Sequence, residues 1–111
     1  MKYYSLNKQS PDVDFKEATV KGQAPDKGLY FPHTIPVHEP AFFDNIAQYS
    51  NEEIAFRLIQ PYVGGTIPDA TLHTIVKETI NYPIPLVPVN ESIFSLELFH
   101  GPTLALSLIH I

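Results

Sequence analysis

Near its end the chain reads Ile93-Phe-Ser-Leu-Glu-Leu-Phe-His-Gly-Pro-Thr-Leu-Ala105. The apolar residues Phe94, Leu96 and Leu98 alternate with polar ones, which is the pattern of a half-buried strand. The tetrapeptide His100-Gly-Pro-Thr103 then favours a turn, because glycine tolerates a positive φ and proline fixes the φ that follows. The stretch therefore predicts a strand that ends in a turn, where ligand-binding loops are often found.

The residues before this strand complete the prediction of an α+β fold. Pro85–Val89 is a second extended run, and Asn90-Glu-Ser92 is a plausible hairpin connection between the two. Two capping boxes lie further upstream, at Asp14-Phe-Lys-Glu17 and Ser50-Asn-Glu-Glu53, and Pro68 suits the first turn of another helix. Helices followed by a C-terminal β-hairpin indicate a small α+β domain.

Shorter signals fill in the first two thirds of the chain. Tyr3-Tyr4 predicts a strand near the start, and Leu29–Phe31 a brief extended stretch. Pro40–Ile46 is expected to form a short helical turn that buries Phe42, Phe43 and Ile46. Pro61 should bend or end the helix that begins after Ser50.

Composition excludes several classes of protein. The chain has 111 residues, enough for one domain at most, and a mild net charge of −5. Its seven basic residues are scattered, so no nucleic-acid partner is predicted. No run reaches the ~20 apolar residues of a membrane helix, and the N-terminus lacks a signal-peptide core, so a cytoplasmic protein is predicted. With no cysteine and no histidine pair at metal-binding spacing, no metal site is predicted.

The run Leu96–Ala105 resembles the segment that leads into the cofactor lysine of threonine synthase, a family of pyridoxal-phosphate (PLP) enzymes. Four further segments and the start of one helix resemble the same family, in the family's order: Tyr3-Tyr4-Ser5, Phe15-Lys-Glu-Ala18, Gly28-Leu-Tyr-Phe-Pro32, Ile67-Pro68 and Pro85-Leu-Val-Pro88. One difference is Lys27, where relatives often have a second glycine. That difference is expected to shift a loop and no more.

The resemblance also implies where the chemistry would lie. In the family the run continues Leu-Ala-Phe-Lys-Asp, and the lysine forms the Schiff base with PLP. Here Leu106 and Ser107 stand at the Phe and Lys positions, and a serine hydroxyl cannot form an imine. The family holds most of PLP and of the substrate phosphohomoserine with residues beyond the lysine. The resemblance places four residues near the cofactor and substrate, none as base or Schiff-base residue: His100, Gly101, Pro102 and Thr103.

The last six residues, Leu106–Ile111, differ in character from the rest. Leu-Ser-Leu-Ile-His-Ile is the translation of CTG TCT CTT ATA CAC ATC, the mosaic end of a transposase used in preparing sequencing libraries. We therefore expect residues 1–105 to be a threonine synthase N-terminal domain and residues 106–111 to be a non-native tail derived from adapter DNA.

The resemblance implies a parent enzyme, a PLP-dependent lyase that converts O-phospho-L-homoserine and water to L-threonine and phosphate. Whether this chain is itself an enzyme stays open; we expect it to be an inactive N-terminal fragment that binds no PLP, its partner being the remainder of the threonine synthase chain. Two alternatives are a stand-alone, non-catalytic α+β binding or interaction module and a fragment of a related PLP-dependent lyase.

Overall fold

The computed structural model describes residues 1–101, which fall into two compact units divided between Ile80 and Asn81. The predictions made for residues 102–111 lie outside this range. The elements are β1 (Tyr3–Ser5), α1 (Phe15–Lys21), β2 (Tyr30–Pro32), α2 (Pro40–Asp44), a 3-10 turn (Ile46–Gln48), α3 (Asn51–Val63), α4 (Asp69–Thr79), β3 (Leu86–Pro88) and β4 (Phe94–Leu96). Four short helices and two small antiparallel strand pairs confirm the α+β class.

Both predicted helix starts are confirmed, although each capping box is only half formed. The Asp14 carboxylate accepts a hydrogen bond from the Glu17 N–H at 2.8 Å, and the Ser50 hydroxyl accepts one from the Glu53 N–H at 3.2 Å. In a complete box the glutamate side chain would return to the cap residue. Within residues 1–101 each glutamate instead bonds a basic side chain four positions later: Lys21 and Arg57.

Of the two effects predicted for Pro61, the ending of α3 is wrong, and the bending of α3 stays a prediction. Pro61 lies inside the helix, which continues to Val63 and ends at Gly64 in the left-handed conformation (φ +61°). The last turn is held from outside the helix. Val63 is only 2% exposed, and the Tyr3 hydroxyl donates a 2.6 Å hydrogen bond to the Tyr62 carbonyl, one of the terminal carbonyls that a helix leaves without a partner. Burial also raises the pKa of Tyr3.

The core of the first unit consists of two clusters. One contains Tyr3, Val13 and Ala18; the other contains Val63, Leu72 and Val76; the Phe15 ring packs against both. Because the second cluster joins the last turn of α3 to two turns of α4, it fixes the two longest helices against each other.

The prediction for the short helical turn was only partly right. Phe42 is buried at 8% exposure, as expected, but Phe43 and Ile46 are 56% and 37% exposed. With five residues, α2 is little more than one turn. Its side with Phe42 is covered, and its side with Phe43 is not. Pro68 also lies one position earlier than expected, as the N-cap of α4.

Strand β1 pairs antiparallel with β2, with Tyr3 opposite Pro32. A cluster of hydrogen bonds centred on Asp26 holds the end of this strand. The Asp26 carboxylate accepts from the fully buried Ser5 hydroxyl at 2.6 Å and from the N–H groups of Gly28 and Gln9 at 3.0 and 2.9 Å. These bonds, the one from Ser5 foremost, lower the pKa of Asp26.

The lowered pKa of Asp26 makes a prediction about acid stability. Its contribution is fully present above the unfolded-state pKa of about 4 and is lost as the pH falls through the lower folded-state pKa. Substitution Asp26→Asn should flatten this part of the dependence of unfolding free energy on pH, measured by urea titration across the acidic range. Asp69→Asn, at a carboxylate in the first turn of α4, is the matched control. Equal acid sensitivity of the Asp26→Asn variant and the unsubstituted chain would contradict the assignment.

In the loop between α1 and β2, the backbone of Lys27 is strained. This residue has φ +66°, a conformation that disfavours any side chain with a Cβ. Lys27→Gly should therefore raise the free energy of unfolding by about 0.5–1 kcal/mol. Lys16→Gly, inside α1, is the control and should lower it by about 1 kcal/mol. Thermal unfolding of both variants tests the prediction, and a loss of stability in Lys27→Gly would refute it.

In the second unit β3 and β4 form the predicted antiparallel hairpin, with Leu86 opposite Leu96 and Pro88 opposite Phe94. Both strands are shorter than the extended runs in the sequence. The expectation that Phe94, Leu96 and Leu98 form a buried face of the strand was wrong, since they are 55%, 56% and 44% exposed. Leu86 on β3 is 62% exposed as well. A two-stranded pair cannot cover either of its own faces.

Candidate functional site

Of the turn singled out from the sequence, the structure describes His100 and Gly101. Pro102, Thr103 and Ser107 lie outside the described residues. The His100 Nε2 atom lies 2.7 Å from Oε2 of Glu97. The His100 and Glu97 side chains are 32% and 25% exposed, so the pair is partly covered and open to solvent.

The local backbone explains why these two side chains meet. The Glu97 N–H donates to the Pro85 carbonyl at 3.0 Å, which extends the hairpin bonding one residue past β4. Beyond this bond residues 97–100 belong to no strand or helix, and the Glu97 and His100 side chains meet there. The Phe99 ring lies against the His100 imidazole, with centroids 4.6 Å apart. Sequence reasoning missed Glu97 as a site residue, although its spacing of three from His100 was an available signal.

Gly101 is required by a close approach to an aromatic ring. A Cβ at this position would lie 3.0 Å from Cζ of Tyr82 and 3.3 Å from two further ring atoms. Any larger residue would push the ring or the turn aside. The glycine therefore has a packing role in this turn, next to the Glu97–His100 pair.

The first unit contains an open cleft of about 480 Å³ beside the start of α2 and the middle of α3. The Arg57 guanidinium lies 4.5 Å from the centroid of the Tyr49 ring, and the Tyr49 ring stacks on Phe42. Arg57 also bonds the Glu53 carboxylate, which raises the pKa of Arg57. The Glu53 carboxylate thus neutralises the positive charge of Arg57, so Arg57 would attract an anion into the cleft only weakly.

Within residues 1–101, the contacts of the other histidines are with residues other than His100. His33 pairs with Asp12 at 2.7 Å, and the His73 ring stacks on Phe56 with centroids 3.5 Å apart. Within residues 1–101 no group of three or more His, Asp or Glu side chains is arranged to hold a metal ion. In the same range no helix has the length and apolar character needed to cross a bilayer.

Comparison with known proteins gives a consistent result. The family model described as "Threonine synthase N terminus" matches residues 2–80. The threonine synthases of Haemophilus influenzae and Pseudomonas aeruginosa are 35% and 36% identical to the chain over 105 and 110 aligned residues, each match covering 95% of this chain and 24% of the relative. The chain thus spans about a quarter of the length of the curated relatives that it matches.

Two solved structures resemble the fold closely. The crystal structure of threonine synthase from Escherichia coli matches with a TM-score of 0.83 at 30% identity, covering 93% of this chain and 24% of that one. The structure of PLP-bound threonine synthase from Brucella melitensis matches with a TM-score of 0.83 at 37% identity, covering 94% and 24%.

The chemistry of the described turn does not fit PLP by itself. Its polar side chains are the Glu97 carboxylate and the His100 imidazole, which already bond each other. A carboxylate repels the cofactor's phosphate, and an imidazole cannot form an imine with its aldehyde. The described turn therefore offers PLP neither a cationic group for its phosphate nor an amine for its aldehyde.

Proposed function

We propose a function from the premise that this chain belongs to the threonine synthase family, whose N-terminal model it matches over residues 2–80. The chain is the N-terminal part of an enzyme that converts O-phospho-L-homoserine and water to L-threonine and phosphate. In that enzyme PLP acts as the electron sink for the carbanion steps. The observation that carries the proposal is the agreement of sequence and fold over more than nine tenths of the chain.

The 111-residue chain alone is proposed to be inactive and to bind no PLP. The support is chemical: serine stands at the family's lysine position, and the described turn offers no amine in its place. The boundary at Ala105, with residues 106–111 as a non-native tail, belongs to the same proposal. A stand-alone binding module is the second candidate. Ser107 favours it, because a non-catalytic module needs no cofactor lysine at that position. It requires codons other than the mosaic-end string after Ala105, so sequencing the genomic DNA there separates the two.

The proposed partner is the remainder of a threonine synthase chain, and the hairpin is the surface that supports this. Cross-strand partners share a face, so Leu86 and Leu96 lie beside Pro88 and Phe94 on an apolar face without charge. These residues are exposed, as the fold shows, and a two-stranded hairpin is marginal in water without a layer packed on it. Covering this face with the rest of the enzyme would remove apolar area worth about 25 cal/mol per Å².

A chimera tests the proposal. Residues 1–105 replace the corresponding quarter of the Haemophilus influenzae enzyme, and the product is assayed for phosphate release from O-phosphohomoserine. We expect the chimera to be active and the 111-residue chain to release no phosphate and to form no imine absorbance with PLP. A chimera whose cofactor lysine is replaced by serine is the matched control. Phosphate release by the 111-residue chain itself would overturn the proposed inactivity, and a folded but inactive chimera would count against the family function.

A further inference from the structure

The contact between Glu97 and His100 joins the end of the hairpin to the turn that follows it. Glu97 follows β4 directly and is anchored by its backbone bond to Pro85, so its carboxylate has a defined position. The Phe99 ring lies against the imidazole, with centroids 4.6 Å apart. The carboxylate therefore starts from an anchored backbone position, and the imidazole has an aromatic neighbour on one side.

The contact determines which imidazole nitrogen carries a proton. An ionised carboxylate can only accept hydrogen bonds, so the nitrogen 2.7 Å away, Nε2, must be the donor. In neutral histidine the other nitrogen, Nδ1, is then an acceptor. A carboxylate that fixes a histidine in this way sets both its tautomer and its ring orientation.

We propose that Glu97 is a positioning residue, which holds the proton of His100 on Nε2 and so presents Nδ1 as a hydrogen-bond acceptor at the end of the hairpin. This rests on the proposed function, in which the turn is part of a larger enzyme. The role differs from a surface ion pair, which would leave the ring free to turn over.

A second pair in the same chain provides an internal comparison. His33 and Asp12 are also 2.7 Å apart, but their side chains are 49% and 48% exposed, against 32% and 25% for His100 and Glu97. Of two solvent-accessible N–H groups, the less exposed one is expected to exchange its proton with water more slowly. The Nε2 proton of His100 should therefore be visible under conditions in which that of His33 is broadened.

The test is nitrogen-resolved NMR of the 111-residue chain with ¹⁵N-labelled histidine, at about pH 8, where an ordinary imidazole is neutral. We expect a proton resonance on His100 Nε2 and an Nδ1 shift typical of an acceptor. Glu97→Ala should abolish the resonance, and Glu97→Gln should retain it, because the amide oxygen still accepts. Asp12→Ala is the control and should leave the His100 signals unchanged.

The spectrum of the unsubstituted chain is the first test of which His100 nitrogen carries the proton. A proton on Nδ1, or an Nε2 proton that exchanges as fast as that of His33, would overturn the proposal even if Glu97→Ala failed to fold. An unchanged Nε2 resonance in a folded Glu97→Ala variant would also overturn it. An inactive chimera would leave these spectra unaffected, so failure of the proposed function and failure of this inference can be told apart.

Discussion

Replacing Leu72 with alanine should lower the free energy of unfolding by about 2–5 kcal/mol. Leu72 is 3% exposed and packs with Val63 and Val76, so truncation leaves a cavity between α3 and α4. The loss includes both the transfer of the removed carbons and the contacts that their neighbours forfeit. Domains of this size have only about 5–15 kcal/mol of stability in total. The variant should therefore be partly unfolded well below the melting temperature of the unsubstituted chain.

The matched control is Ile75→Ala. Ile75 lies on the same helix three residues later and is 42% exposed, so its truncation should cost less than about 1 kcal/mol. Urea unfolding followed by far-ultraviolet circular dichroism measures both variants, with equal slopes showing that the same structure unfolds. Equal losses for the two would mean that the cluster of Val63, Leu72 and Val76 is not the core of the first unit.

Replacing Gly28 with alanine should lower the free energy of unfolding by about 3 kcal/mol or more, since overpacking and a broken charge-assisted hydrogen bond act together. The added Cβ would lie 2.1 Å from the Ser5 hydroxyl oxygen and 2.9 Å from the Asn7 nitrogen. Ser5 is fully buried and cannot move away without leaving Asp26. The substitution therefore separates the end of β1 from the loop that fixes it.

Gly22→Ala serves as the control for Gly28→Ala. Gly22 has φ +67°, but a Cβ added there would meet nothing within 4 Å, so the substitution should cost only about 1–2 kcal/mol, from backbone strain alone. Thermal unfolding of both variants isolates the effect of the close approach. Adding Ser5→Ala to the Gly28→Ala variant should relieve the closer of the two contacts and raise the melting temperature again. A Gly28→Ala variant as stable as Gly22→Ala would refute the argument.

The parts of the fold that followed from the sequence are those set by local chemistry. A serine or aspartate three residues before a glutamate located the starts of α1 and α3, since cap bonds form within one turn. The hairpin followed from two extended runs around a polar connection. Pro61 was expected to end α3, but the helix continues to Val63, because tertiary packing of Val63 outweighs the loss of one helix hydrogen bond.

The parts that did not follow depend on distant residues. Nothing near Tyr3 indicates that it pairs with Pro32, and nothing near Ser5 indicates its bond to Asp26. Burial was also misjudged, because alternation shows which residues of a strand share a face and not whether that face is covered. In the site, Gly101 and Pro102 predicted a turn, whereas Glu97 was treated only as a polar residue of an alternating strand.

The hydrogen bond between the Tyr3 hydroxyl and the Tyr62 carbonyl also has a consequence for synthesis on the ribosome. The two residues are 59 positions apart. At about 5–20 residues per second, Tyr3 waits roughly 3–12 seconds after its own addition before its partner is added. Strand β1 can pair with β2 once Pro32 has been added, about 30 residues earlier than Tyr62. The bond to the end of α3 is therefore a late step in the assembly of the first unit, and it can form only after β1 has its strand partner.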